Sequence, residues 1–200
     1  MYYYIYDNFL KHKKYQSLLS KIENRLTDLG INGRIGRLSL LTSLKELIKE
    51  GIKRDVKTIV VVGNNQTINR TIKALAMIDQ QLTLGIIPIG SDNQLAELLG
   101  IPTGESACEI LSARKIEKLN IGQINNDQFF ISSIVLSAVD IAITCDNQYR
   151  IIPTNKNGRV IINNFYHESI INNPKNDLLK IFIQGSYKDG FIKKFIKKDS

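Results

Sequence analysis

The 200-residue sequence predicts an α/β protein: a parallel, doubly wound, Rossmann-like lobe first, and a β-rich, sandwich-like lobe second. Three observations carry this expectation. The run at 58–62 is continuously β-branched, without the alternation of a half-solvated strand, so it reads as a strand buried on both faces, and 83–87 reads as a further buried strand. Stretches with helical spacing lie before, between and after them, and strands that alternate with helices imply right-handed crossovers into a parallel sheet. Beyond about Arg114 the helical spacing gives way to short strand-like runs joined by turns rich in Asn and Asp. The expected organisation is an α/β lobe over 1–113, a β-rich lobe over 114–185 and a basic tail over 186–200.

Taken in order, the aromatic stretch 2–6 reads as a first strand. Leu18, Leu19, Ile22, Leu26 and Leu29 then share one face of a helix, which Gly30 stops. Ser43 and Glu46 form a capping box for a second helix with the apolar stripe Leu44, Leu47 and Ile48, expected to end at Gly51. After the 58–62 strand, 63–67 reads as a polar turn, and Ile68, Ile72, Leu75 and Ala76 mark a third helix. After the 83–87 strand, 88–92 reads as a second turn. Ser91 and Gln94 suggest another capping box, followed by a short helix lined by Leu95, Leu98 and Leu99. In the second half, 118–124 and 128–136 are strand-like around Asn125-Asn126-Asp127, and 141–145 and 149–152 flank Asp146-Asn147-Gln148. The runs 159–162 and 178–183 are further strand candidates. In the tail, Ile192, Phe195 and Ile196 stand at helical spacing among lysines, which suggests an amphipathic helix suited to anionic lipid.

Bulk properties narrow the function. No apolar run of membrane-spanning length occurs, and 1–10 lack the pattern of a signal peptide, so cytoplasmic residence is expected, with the membrane reached only peripherally. Cys108 and Cys145 stand apart, and His12 and His167 do not complete a metal-ligand spacing with them, so no resident metal site is expected. The net charge of +8 suits phosphates, anionic lipid or simply a solvated basic surface. No RNA-binding motif or interleaved basic and aromatic stripe is present, so nucleic acid is not an expected partner.

The two turns lie where a parallel sheet presents its ligand site, outside the carboxyl ends of its strands. Gly63, Asn64, Asn65, Gln66 and Thr67 form the first, and Gly90, Ser91, Asp92 and Asn93 the core of the second. Each leads into a helix N-terminus, where free N–H groups and the helix dipole attract anions. The residues alone leave two readings open: phosphate cradles, or the turns that any doubly wound sheet requires.

A Val60-Val61-Val62 strand, a turn closed by Thr67, a helix, then Leu84-Gly85-Ile86-Ile87-Pro88 and a turn with Asn93 before Leu95-Ala96 together resemble the catalytic domain of the diacylglycerol kinase family. That family reads GGDGT at the first turn and P-x-GTGND-x-A at the second. Here 63–67 read GNNQT and 88–102 read PIGSDNQLAELLGIP, with Pro88, Gly90, Asn93, Ala96, Leu99, Gly100 and Pro102 in register. The stretch 118–130 is similar to the family's entry into its β-sandwich lobe. Residues 160–164, then Asn173-Pro174 and Asp177-Leu178-Leu179, resemble a later region, so the likeness spans nearly all of 1–185. The resemblance implies an ATP-dependent lipid kinase: a nucleotide bound by Gly63, Asn64, Asn65, Gln66, Thr67, Gly90, Ser91 and Asn93, Mg²⁺ as the cation that phosphoryl transfer needs, and a membrane lipid alcohol as acceptor.

Departures from the family pattern qualify what it implies. The turn acid falls at Asn65 and its flanking glycines at Asn64 and Gln66, and the Asn-Pro motif after the first strand is matched only by Asp7-Asn8. A late Asp-Gly-Glu element has no counterpart; Asp146 precedes Asn163 and is not assigned to it. An amide cannot accept a proton or hold Mg²⁺ as a carboxylate does, so no measurable lipid phosphorylation is expected. If transfer does occur, Asp92 is the first carboxylate to suspect and Asp7 the second. Two alternatives stay open: a non-catalytic, nucleotide-binding regulatory relative, and a basic scaffold for lipid surfaces.

Overall fold

Tyr3, Tyr4, Ile5 and Tyr6 are each at most 2% exposed, so both faces of the first strand, β1 (Tyr2–Tyr6), are covered, as happens only inside a layered sheet. This computed structural model describes residues 1–125, 128–145, 148–154, 158–164, 179–184 and 192–193. The chain divides into two compact units, Met1–Lys118 and Leu119–Ser200.

In the first unit, helix α1 (Gln16–Asp28) buries Leu19, Ile22 and Leu26 and ends where the sequence predicts, with Gly30 at φ 66° just past it. Strand β2 (Arg34–Arg37) was not legible in the sequence: only Gly36 of its four residues is buried, so no apolar period betrays it. Helix α2 (Leu44–Lys53) carries the expected Ser43–Glu46 capping box. It runs through Gly51 to Lys53 rather than stopping at the glycine. Gly51 is buried within the helix without a left-handed φ, and an added Cβ would make only ordinary contact with the Tyr3 ring at 3.6 Å, so the residue does not act as a stop.

Strand β3 (Thr58–Gly63), helix α3 (Asn65–Ala76), strand β4 (Thr83–Pro88) and the short helix α4 (Gln94–Leu98) follow. Helix α5 (Ala107–Ser112), which the sequence pattern did not reveal, buries Ala107 and Cys108. The sheet order is β2-β1-β3-β4, and every neighbouring pair is parallel. One face holds Tyr4, Tyr6, Val60 and Val62 against Ile22 of α1 and Cys108 of α5. The other holds Tyr3, Ile5 and Ile59 against Leu47 and Ile48 of α2 and Ala74 of α3. The first unit is thus a parallel, doubly wound sheet. The chain leaves β1 toward β2 and returns on its other side as β3, so the winding direction reverses between β1 and β3, the junction where such sheets open a crevice.

The second unit is antiparallel and β-rich. Strands β5 (Gly122–Ile124) and β6 (Gln128–Phe130) pair with each other, as do β8 (Ile143–Cys145) and β9 (Tyr149–Ile151). Strands β7 (Ser133–Ser137), β10 (Arg159–Asn163), β11 (Lys180–Gln184) and β12 (Ile192–Lys193) form a sheet ordered β12-β11-β10-β7. Its buried core includes Ala138, Val160, Ile162 and Ile181. The expected single strand over 128–136 is broken between β6 and β7. There the Asn164 side-chain amide donates to the Ile131 carbonyl at 2.9 Å and to that of Asn120 at 2.7 Å. Residues 126–127 and 146–147 of the two predicted turns, the 173–174 and 177–178 motif positions, and the tail other than 192–193 lie outside the described residues. Ile192 and Lys193 pair with β11, so at those two positions the backbone is strand and not the helix that the spacing suggests.

Candidate functional site

The site grows from the junction of β1 and β3. The Asp7 N–H donates to the Val62 carbonyl at 3.0 Å, carrying the β1–β3 pairing one residue past the strand. The Asp7 carboxylate then serves two elements. Its Oδ1 accepts from the Phe9 N–H at 3.1 Å and starts the tight turn Asn8–Lys11, and its Oδ2 accepts from the Thr67 hydroxyl. Thr67, 1% exposed, sits in the first turn of α3.

The first predicted turn is therefore far shorter than the five residues read from the sequence. Gly63 closes β3, Asn64 is the N-cap, and α3 begins at Asn65. The Asn64 Oδ1 accepts from the Thr67 N–H at 3.2 Å, and a side chain at Gly63 would meet that of Thr67 at 2.9 Å. A single capping residue thus does what a polar loop was expected to do.

The second turn is bonded to the first. The Ile89 N–H donates to the Gly63 carbonyl and the Asn65 N–H to the Asp92 carbonyl, each at 2.9 Å. The Asn65 Oδ1 accepts from the Leu95 N–H at 3.0 Å. The Ser91–Gln94 capping box does not form: the N-cap of α4 is Asn93, whose side chain makes no cap bond. Asn65, thirty residues away in the sequence, supplies the missing acceptor. Asn93, 5% exposed, donates from Nδ2 to the Gly90 carbonyl at 2.9 Å, and its buried Oδ1 has no hydrogen-bond partner among the described residues. Gly90 and Asp92 both lie in the left-handed region, at φ 98° and 69°.

These strand ends surround a cavity of about 520 Å³. The segment after β1 contributes Asp7, Asn8, Phe9, His12, Lys14 and Tyr15; the start of α3 contributes Asn64, Gln66 and Arg70; the end of β4 contributes Gly90 and Ser91. Phe9 and Tyr15 meet edge to face at 5.3 Å, and the Lys14 ammonium lies 4.8 Å from the Tyr15 ring centre. A Cβ on Gly90 would come within 3.3 Å of the Phe9 ring, so the glycine accommodates the aromatic wall as well as its own backbone angle. In the first turn of α3 the Asn65 and Thr67 N–H groups are engaged. That of Gln66, at the positive end of the helix dipole, takes no partner among the described residues.

Of the residues singled out in the sequence, Asp7, Asn64, Gln66, Gly90 and Ser91 line the cavity. Gly63, Thr67 and Asn93 are buried and do not line it, Asn65 joins the two turns, and Asp92 is exposed outside the lining. Asn8 was noted only as part of the Asp7-Asn8 match to a family motif, and sequence reasoning missed Phe9, His12, Lys14, Tyr15 and Arg70 as lining residues. Arg70 had a usable signal, since it lies four residues after Gln66 on the same face of α3; the 9–15 segment had none, being neither strand nor regular α-helix. Buried Cys108 is not a nucleophile candidate, because desolvation pushes its thiol up to about 11.

Two cations and one carboxylate line this cavity, and among the described residues no three of His, Cys, Asp and Glu converge. After its two hydrogen bonds, the Asp7 carboxylate still has lone-pair positions to offer. This donor set fits a cation that brings phosphate and water ligands of its own, as Mg²⁺ does, and does not fit a cage built of protein alone.

Residues 2–124 match the family model described as the diacylglycerol kinase catalytic domain. The chain is 36% identical over 86 residues to the diacylglycerol kinase of Bacillus subtilis (strain 168), covering 42% of this chain and 28% of that protein. It is 28% identical over 115 residues to a probable YegS-like lipid kinase of Klebsiella pneumoniae (strain 342), covering 57% of this chain and 39% of that protein. The matches therefore span well under half the length of these relatives. A solved structure of a diacylglycerol kinase from Bacillus anthracis str. Sterne superposes with a TM-score of 0.74 at 19% identity, over 92% of this chain and 75% of that one, which is a likeness of fold.

Proposed function

The chain belongs to the diacylglycerol kinase catalytic domain family, whose model matches its residues 2–124, and from that premise we propose that the cavity at the ends of β1, β3 and β4 binds the phosphates of ATP. The protein is read as a nucleotide-binding member of a lipid kinase family in which transfer to a membrane lipid alcohol is slow or absent. One observation carries this reading: three strand ends converge on one cavity that combines Arg70, Lys14 and the Gln66 N–H at a helix N-terminus.

Each group has a task in the binding step. Arg70 and Lys14 draw in the polyphosphate, and the guanidinium can hold two of its oxygens at once. The Gln66 N–H adds a donor aligned with the dipole of α3. The Phe9–Tyr15 wall offers aromatic surface to the nucleoside. When bound, ATP supplies the phosphoryl group and its Mg²⁺ neutralises the phosphate charge. Transfer is a different matter. At Asn65, where the family carries an acid, the amide can neither take a proton nor hold a metal as a carboxylate would. Its oxygen is moreover engaged by the Leu95 N–H.

Calorimetry and thermal melting with ATP test the reading. At 100 times its dissociation constant ATP should stabilise the protein by about 2.7 kcal/mol. Arg70→Ala should weaken binding about ten- to a hundredfold, the worth of a charged hydrogen bond, with the ligand-free melting temperature unchanged. No shift at millimolar ATP, with and without Mg²⁺, would show that the cavity is not a nucleotide site.

A further inference from the structure

We propose that Asp7 is the carboxylate through which this site holds a divalent cation carried by the nucleotide, an assignment that rests on the nucleotide reading above. Asp7 lies at the β1–β3 junction, where the winding of the sheet reverses, and it faces the cavity. It is the only carboxylate among the lining residues. Asp92, which the sequence made the more obvious candidate, is exposed and does not line the cavity. Asn65 is neither acidic nor free, since its side-chain oxygen is bonded to Leu95.

Asp7 is also held in a way that suits a ligand. Donors from two different elements, the Phe9 N–H and the Thr67 hydroxyl, each engage one of its oxygens and so fix the orientation of the carboxylate. Both donors are neutral, and among the described residues Asp7 takes part in no ion pair, so neither oxygen is committed to a protein cation. A negative charge in a cavity that otherwise attracts phosphate would repel the ligand it helps to line. A divalent cation between carboxylate and phosphate turns that repulsion into attraction, and one carboxylate with phosphate oxygens and water is an ordinary Mg²⁺ ligand set.

The competing account makes Asp7 only a cap for the Asn8–Lys11 turn. Asp7→Asn separates the two, because it can keep the local bonding and remove only the charge. The Asn Oδ1 can still accept from Phe9, and its Nδ2 can donate to the Thr67 oxygen. The Thr67 hydroxyl hydrogen can then turn to the Asn64 Oδ1, 3.1 Å away.

The experiment is calorimetric titration of ATP into the full-length chain, in EDTA and in millimolar Mg²⁺. Mg²⁺ should tighten ATP binding to the wild type about tenfold, a typical coupling between two ligands. Asp7→Asn should abolish that coupling and bind metal-free ATP at least as tightly as the wild type, while Asp92→Asn should leave the coupling intact. A second readout needs no variant: Mn²⁺ added to the wild-type ATP complex should broaden the amide NMR signals of Asp7 and Phe9. Coupling that persists in Asp7→Asn, coupling lost in Asp92→Asn, or absence of broadening would overturn the assignment. ATP that binds the wild type equally with and without Mg²⁺ would overturn it while sparing the nucleotide reading. ATP that does not bind at all would remove both.

Discussion

Changing Asn65 to Ala would remove the acceptor that caps a helix in another part of the chain. In the native fold the Asn65 Oδ1 takes the Leu95 N–H at 3.0 Å, at the start of α4, where no local side chain caps. Leu95 is 3% exposed, so water reaches its N–H poorly once the acceptor is gone. Loss of an N-cap costs about 1 kcal/mol, and a buried donor left unsatisfied costs about 1–3 kcal/mol. These describe the same broken bond and are not summed; about 1.5 kcal/mol is the expected loss. With a urea slope of ~2 kcal/mol/M, the unfolding midpoint should fall by about 0.7 M, followed by far-ultraviolet circular dichroism. Asn65→Asp keeps an acceptor of the same shape and should stay within about 0.5 kcal/mol of the wild type, in the range of substitutions that break no specific interaction. An Asn65→Ala protein as stable as the wild type, or an Asn65→Asp protein as unstable as the alanine variant, would refute the capping role.

Three further outcomes are expected. Gly90→Val should lower stability and abolish ATP binding, since the residue sits at φ 98° and its Cβ would press on the Phe9 ring at 3.3 Å; unchanged melting and binding would contradict this. Radiolabel transfer from ATP to diacylglycerol, sphingoid or undecaprenol-type alcohols should stay at background, because losing one transition-state contact typically costs about 10²–10³ in rate; clear turnover would show that a carboxylate other than one at position 65 suffices. The Ser43 backbone N–H, at 2.7 Å, holds the Glu46 carboxyl below its usual range. That contribution to stability is present above the ordinary carboxylate range and is lost as the pH falls through the lowered value. Glu46→Gln should therefore lose less stability than the wild type between neutral and acid pH, as read by melting temperature.

What could be read directly from the residues was local. Ile59 to Val62 of β3 and Ile86 and Ile87 of β4 lie buried because their side chains carry nothing that needs water, and the Ser43–Glu46 box works across three residues whatever surrounds it. The turns after β3 and β4 were recognisable as the carboxyl ends of parallel strands, because strands that alternate with helices run parallel. Strand β2 could not be read, since its place depends on pairing with β1 and not on its own composition.

The arrangement within the site belongs to the tertiary structure. The sequence determined that a parallel α/β unit with two helix-opening turns would form, and that position 65 would carry an amide and position 7 an acid. Only the strand order β2-β1-β3-β4 decided that Asp7 would meet Thr67 across sixty residues, that Asn65 would cap α4 in place of the Ser91–Gln94 box, and that Asp92 would face solvent. Hydrogen bonds between neighbours in sequence are set by spacing along one helix or turn, whereas bonds between distant residues exist only once the pairing of strands has brought their ends together.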